Sequence, residues 1–189
     1  MARPAEPGRN ALLDAGVAVA ADRGLTGLSV NAVVETAGMA KGAFYHHFPT
    51  RRDYLVALHR AYHEALNTEV WAAIDGLDPG AERLRVGIEA FLDACRRTKA
   101  TKALLAQSRT EADLLPEVVS RNADAAALIA ADTAAIGWAA PEAVATMAVA
   151  MVAETALVEL YDDAPRPDLR GAIYSMLIAG PDAKKGTTN

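Results

Sequence analysis

Between residues 28 and 55 the chain reads LSVNAVVETAGMAKGAFYHHFPTRRDYL, a stretch that permits few backbone arrangements. Ser29 is a good N-cap, because its hydroxyl can accept from one of the orphan N–H groups of the turn that follows. Val30, Val33, Val34 and Ala37 then recur at helical spacing and make one face apolar. Gly38 stands where that helix must stop, since glycine enters the left-handed conformation without a Cβ clash. Met39 and Phe44 supply apolar contacts for a second short helix, leaving Lys41, Gly42, Ala43, Tyr45 and His46 for its other side. After Phe48 and Pro49, Thr50 caps a third segment, with Asp53 three residues on at capping-box spacing. The pattern predicts a helix-turn-helix followed by a longer helix.

The face left over suits double-stranded DNA. Gly42 and Ala43 let a helix backbone lie close to base edges, while Lys41 reaches a phosphate or a guanine acceptor pair. Tyr45 and His46 carry donors for phosphate oxygens. Arg51 and Arg52 lie in the first turn of the next helix, beside N–H groups that themselves attract phosphate. Cations there are unfavourable for an isolated helix, so their charge is expected to serve a partner.

These words resemble the tetracycline-repressor (TetR) family of bacterial transcription regulators. The resemblance rests on Ala20, Asp22, Arg23 and Gly24, then Ser29 and Val30, the run AGMAKG at 37–42, FYHHFP at 44–49, and Thr50 with Arg51. It covers about the first sixty residues. It implies that Lys41, Gly42, Ala43, Tyr45 and His46 are recognition-helix positions and that Arg51 takes a phosphate. Ser29 and Asn31, at the start of the preceding helix, are counted with them as DNA-facing. Three residues depart from the family pattern: Ala40 in place of a capping Ser or Thr, Val34 in place of alanine, and Asn31 in place of arginine. A missing cap is worth about 1 kcal/mol.

Net charge bears directly on a nucleic-acid reading, and the whole chain carries −5 over 189 residues. The distribution resolves this. Residues 1–60 hold seven Lys and Arg against five Asp and Glu, a net +2, while the rest holds 12 against 19, a net −7. An acidic body of that kind repels DNA and helps to orient docking. The proline-bearing start, with Arg3 and Arg9, reads as a solvated arm. Its polarity argues against a secretory signal. The most apolar run, 143–153, stops at Glu154 and is too short for a bilayer, so no membrane association is expected. Cys95 is the single cysteine, which excludes an intrachain disulfide and points to a cytoplasmic protein.

The remaining periodicities are helical throughout. Leu12, Ala15, Gly16, Val19 and Ala20 predict a first helix over 9–23, and Leu55, Leu58, Tyr62, Leu66 and Val70 predict a long fourth helix to about 75. On that helix His59 and His63 stand at i, i+4; with no third ligand near in sequence they read as an exposed face rather than a metal pair. Further helices are expected over about 80–97, 100–109, 116–137, 141–161 and 168–179. The cations Arg96, Arg97, Lys99 and Lys102 cluster at a helix end, where they suit the macrodipole. The expected fold is all-α with about nine helices: a helix-turn-helix head over residues 1–50, and a helical effector-binding and dimerisation bundle over 51–189.

Two features of the expected bundle bear on function. Its last two helices are rich in Ala, Gly and Met with apolar residues on more than one face, as when helices pack on their own body and on a second copy, which predicts a homodimer. Polar or large residues are also scattered among apolar ones. The resemblance implies a small-molecule pocket, for which Phe91, Cys95, Leu104, Gln107, Trp138, Met147, Met151 and Glu154 are the candidates. No catalytic residue, metal or cofactor is expected, because no nucleophile–base pair, metal triad or phosphate loop is visible. The expected function is a repressor released from a palindromic operator by an effector. The alternatives are a constitutive DNA-binding or interaction protein and an all-helical enzyme.

Overall fold

The computed structural model describes residues 6–98, 100 and 102–178, and every element among them is helical. Eight α-helices follow in order: α1 Glu6–Arg23, α2 Val30–Ala37, α3 Lys41–His47, α4 Arg51–Ile74, α5 Ala81–Arg97, α6 Leu115–Ile136, α7 Pro141–Asp162 and α8 Pro167–Ile178. The helix expected over 100–109 is irregular instead, a π-helical segment Lys102–Ala106 running into a 3-10 turn Gln107–Arg109. Lys99, the arm with Arg3, and the end of the last expected helix lie outside the described residues. α1 begins earlier than expected. Pro7 is tolerated in its first turn, where a missing N–H breaks no helical bond.

Two compact units divide the chain. Residues 1–65 and 98–118 make unit one; 66–97 and 119–189 make unit two. This differs from a boundary at residue 50, because α4 and α6 each contribute to both units and 98–118 folds in with the head.

Unit one is built around α1. Leu12, Ala15, Val19 and Ala20 are buried, as their spacing requires, together with Leu13. Gly16 has a separate role: a Cβ there would lie 1.9 Å from the Tyr54 hydroxyl, which donates to the Leu12 carbonyl at 2.8 Å. Only glycine lets the tyrosine lie flat on α1. Tyr54 also packs on Phe44 and Phe48, with ring centroids 4.9 and 5.0 Å away, and Arg9 stacks on Phe48 at 5.3 Å. Burial pushes the Tyr54 hydroxyl well above the usual phenol range.

His59 and His63 correct the sequence reading. Both are buried, with ring centroids 4.4 Å apart. Helical periodicity within α4 does not disclose this, because it does not say which faces of the helix other segments cover. Among the described residues, no group of three or more His, Cys, Asp or Glu is placed to hold a metal.

Unit two packs α5, α7 and α8 together. α7 also corrects an expectation: it runs for 22 residues, an 18-residue stretch of it has a mean hydropathy of 1.7, and by length and composition it could cross a membrane. The run ended by Glu154 looked short only because the helix continues beyond it. Its burial has a source within the unit, where Ala145, Ala148, Val152 and Ala156 are core. Deep in the same helix Glu159, at 0% exposure, receives both Nε and Nη2 of Arg170 at 2.7 Å and the Arg166 backbone N–H at 2.9 Å. Arg170 reaches Asp93 on α5 as well, at 2.9 Å.

Candidate nucleic-acid interface and body cavity

The local structure of the head follows its caps. Ser29 Oγ accepts from Ala32 N at 3.1 Å and starts α2, and Gly38 ends it at φ 65°, ψ 31° in the left-handed region. Thr50 and Asp53 form the reciprocal box before α4: Asp53 N donates to Thr50 Oγ1 and Thr50 N donates to Asp53 Oδ2, each at 3.1 Å. α3 has no such start. Ala40 holds the extended N-cap conformation, φ −76° and ψ 148°, without a side-chain bond. Ala40→Ser should therefore raise stability by about 0.5–1 kcal/mol with unchanged DNA affinity, read as a rise in thermal midpoint; no rise would mean α3 gains nothing from a capped first turn.

Phe44 is fully buried and pins α3, so the opposite face is turned out. Lys41, Gly42, Tyr45 and His46 are exposed and Ala43 is half-buried. Ser29, Asn31 and Arg51 are exposed too. All eight candidate DNA-binding residues are thus reachable, though the Ser29 hydroxyl is engaged as a cap. Arg52 has a protein neighbour, with Nε 3.9 Å from Asp113 Oδ1. That weakens the expectation that its charge serves only a partner.

The eight candidate ligand residues are divided between the two units. Leu104 and Gln107 belong to unit one and the others to unit two. Gln107 Oε1 accepts from the Leu25 backbone N–H at 2.7 Å, satisfying a donor in the 3-10 turn between α1 and α2. Trp138 Nε1 donates to the Leu177 carbonyl at 2.9 Å. Cys95 is buried, Met151 half-buried, and Met147 and Glu154 exposed. With Gln107 and Trp138, a polar atom among apolar neighbours satisfies a distant backbone group. Gln107→Ala should cost about 1–2 kcal/mol, lowering the thermal midpoint by a few degrees, whereas Gln107→Glu keeps an acceptor and most of the stability. Equal losses in the two variants would show that the bond to Leu25 contributes nothing.

Phe91 alone among the eight lines a cavity of about 230 Å³ in unit two. Its walls come from Val70, Trp71 and Ile74 of α4, Leu84 and Ile88 of α5, Leu128 and Ile129 of α6, and Val149 and Val152 of α7. Charged groups enter from two helices only, Arg83 of α5 and Arg121, Asp124 and Asp132 of α6. Sequence reasoning missed this constellation. Its signal was Asp132 itself, an acid within an alanine-rich helix. A larger cleft of about 740 Å³ lies in unit one, but charged side chains such as Arg52, Arg60, Asp113 and Glu117 dominate it. Arg60 and Glu117 are already joined across it by two bonds of 2.7 and 2.8 Å, so a ligand there would have to displace an ion pair.

A family model described as bacterial regulatory proteins, tetR family, matches residues 12–58, spanning the helix-turn-helix whose geometry is given above. Similarity to solved structures extends over nearly the whole chain. A transcriptional regulator from Rhodococcus sp. RHA1 is 26% identical with a TM-score of 0.77, over 90% of this chain and 95% of that one. Residues 12–58 carry a TetR-family helix-turn-helix, and the chain as a whole has a TetR-like fold. A TetR-family member from Streptomyces coelicolor is 25% identical with a TM-score of 0.75, covering 91% and 98% of the two chains. The multidrug binding protein EbrR, solved with imidazole, shares the fold at 24% identity and a TM-score of 0.75, covering 92% and 96%. No curated protein matches. The matched head is of the type found in TetR DNA-binding transcriptional regulators.

Proposed function

We propose that this protein is a TetR-type regulator that reads a palindromic operator as a homodimer and is released from it by a small-molecule effector bound in unit two. The observation that carries the reading is the outward face of α3, where Lys41, Tyr45 and His46 are exposed on a short helix pinned from behind by Phe44. In this reading Lys41 takes a phosphate or a guanine, Gly42 and Ala43 allow close approach, and Tyr45 and His46 donate to the backbone. Ser29, Asn31 and Arg51 add flanking contacts. One such helix in one groove discriminates weakly, and two joined by symmetry combine their free energies.

The exposed apolar side chains of α7 and α8 support the dimer. Met147 and Tyr161 on α7 and Met176 on α8 are each 60–66% exposed, more apolar surface than two adjacent helices ordinarily leave in water. The cavity beside Phe91 supports the effector, which can shift the protein between DNA-binding and released states only through unequal affinity for them. A protein working on operator DNA in this way acts in the bacterial cytoplasm.

DNA selected from a random pool by the full-length protein tests the reading. An inverted repeat with half-sites about one duplex turn apart is the expected product. Enrichment of single, unpaired half-sites, or of no sequence at all, would overturn it.

A further inference from the structure

We propose that the unit-two cavity takes an uncharged ligand, one ring or a short branched chain bearing a carbonyl group, whose oxygen is held by Nη2 of Arg83. This rests on the effector reading above and names the chemical class that the reading leaves open.

The cavity's walls set the body of the ligand. Ile88, Phe91 and Val152 offer no hydrogen-bonding group, so what lies against them must be apolar. A cavity of about 150 Å³ accepts benzene. The roughly 230 Å³ here suits one ring, or a short branched chain, with a small polar arm.

The charged groups of the lining set the ligand's charge. Two cations, Arg83 and Arg121, stand with two acids, Asp124 and Asp132, so their formal charges cancel. Arg83 is matched directly, since its Nε donates to Asp132 Oδ1 at 2.7 Å and the two side chains are 12% and 4% exposed. Asp132 Oδ1 also accepts from Gly80 N at 2.9 Å. Asp124 is exposed, where water screens its charge. A charged ligand would therefore give up its hydration for a lining without net charge, a cost that a neutral one does not carry.

One donor of Arg83 then sets the polar arm. A guanidinium presents its Nε and Nη2 hydrogens side by side, and elsewhere in this protein a carboxylate takes both. Arg60 holds Glu117 through Nε at 2.7 Å and Nη2 at 2.8 Å, and Arg170 holds Glu159 through the same two atoms, each at 2.7 Å. Toward Asp132, Arg83 uses Nε, while its buried Nη2 has no hydrogen-bond partner among the described residues. An unmatched donor on a buried cation is uncommon. A carbonyl oxygen fills it without disturbing the ion pair, whereas a hydroxyl or an amide would bring a further donor to bury.

Calorimetry and thermal shift on the full-length protein test the class. Two ketones, benzylacetone and methyl isoamyl ketone, are set against acids of like size, hydrocinnamate and isocaproate, and against the amines of the same skeletons. At least one ketone should bind and raise the melting midpoint with concentration, at least tenfold more tightly than its acid or its amine. The carbonyl stretch of that ketone, isotopically labelled and bound, should lie below its value in hydrocarbon solvent, as it does for a hydrogen-bonded C=O. Arg83→Lys keeps a cation beside Asp132 but loses the side-by-side donors, so ketone affinity should fall about tenfold and the stretch should move back up. If this variant does not fold, Arg83→Met with Asp132→Asn removes both charges, keeps an acceptor for Gly80 N and should do the same. Equal or tighter binding of an acid or amine, a stretch at the hydrocarbon value, unchanged ketone affinity in the variant, or no binding by either ketone at millimolar concentration overturns the assignment. Operator release measured with the same compounds separates the two readings. A ketone that binds in this way without changing operator affinity preserves the class and sinks the release mechanism. A charged compound that binds more tightly and releases the operator does the reverse.

Discussion

Alanine at both Lys41 and Tyr45 should reduce operator affinity by about 100-fold or more while leaving the protein folded and dimeric. Both side chains are exposed on the outer face of α3, and Tyr45 is 48% exposed, so their removal leaves no cavity behind. Each good base-edge contact is worth about 1–3 kcal/mol, and two-fold symmetry counts every loss twice. Salt dependence refines the test. If Lys41 contacts phosphate, Lys41→Ala lowers affinity for all sequences alike and reduces the slope of log affinity against log salt by about two per dimer, one for each subunit. If it reads guanine, the slope changes little and preference at one operator position relaxes. Unchanged affinity in the double variant, with circular dichroism and sedimentation like wild type, would mean that α3 is not the reader.

The largest stability effect is expected at Arg170. Arg170→Met leaves the fully buried Glu159 carboxylate with only the Arg166 backbone N–H of its former bidentate set. Stranding a buried charge in this way costs about 3–5 kcal/mol, which for a chain of this size lowers the melting midpoint by roughly 10 °C or more. Glu159→Leu with Arg170→Met should recover most of that loss, because it removes the stranded charge.

The effect has a definite pH dependence. Burial alone would push the Glu159 carboxyl up, but the Arg170 hydrogen bond, the Arg166 N–H and the positive charges of Arg170 and Arg96 outweigh it and hold the group below its usual range. A carboxyl depressed in the folded state contributes stability that is fully present above the unfolded value of about 4.3 and is lost as pH falls through the folded value. In Arg170→Met burial is opposed only by the Arg166 N–H and the Arg96 charge, so the gap between wild type and variant should be widest near neutrality and narrow below about pH 4. A gap independent of pH would mean that packing of the arginine stem, not the ion pair, sets the cost.

The head was legible in the sequence because its signals are local. Ser29, Gly38, Thr50 and Asp53 act on groups within four residues of themselves, and each takes the capping role that its type and spacing predict. The exposed face of α3 follows from Phe44 alone. What stayed hidden depends on partners far along the chain. Gln107 is joined to Leu25, Asp132 to Gly80 and Arg83, and Glu159 to Arg170, and nothing in the spacing of one member announces the other. The burial of His59 and His63 is not legible either, since periodicity within a helix does not say which of its faces the rest of the chain covers. The body cavity was missed almost entirely, because an apolar lining is drawn from residues that also read as ordinary core.

The bond between Gln107 and Leu25 limits how this protein can be engineered. Transplanting residues 1–50 onto another regulator's body to redirect its operator choice would leave the Leu25 amide without its acceptor, and would strip away the 98–118 stretch with which the reading end is folded. A working chimera must carry both pieces across together, or supply an equivalent side chain from the recipient.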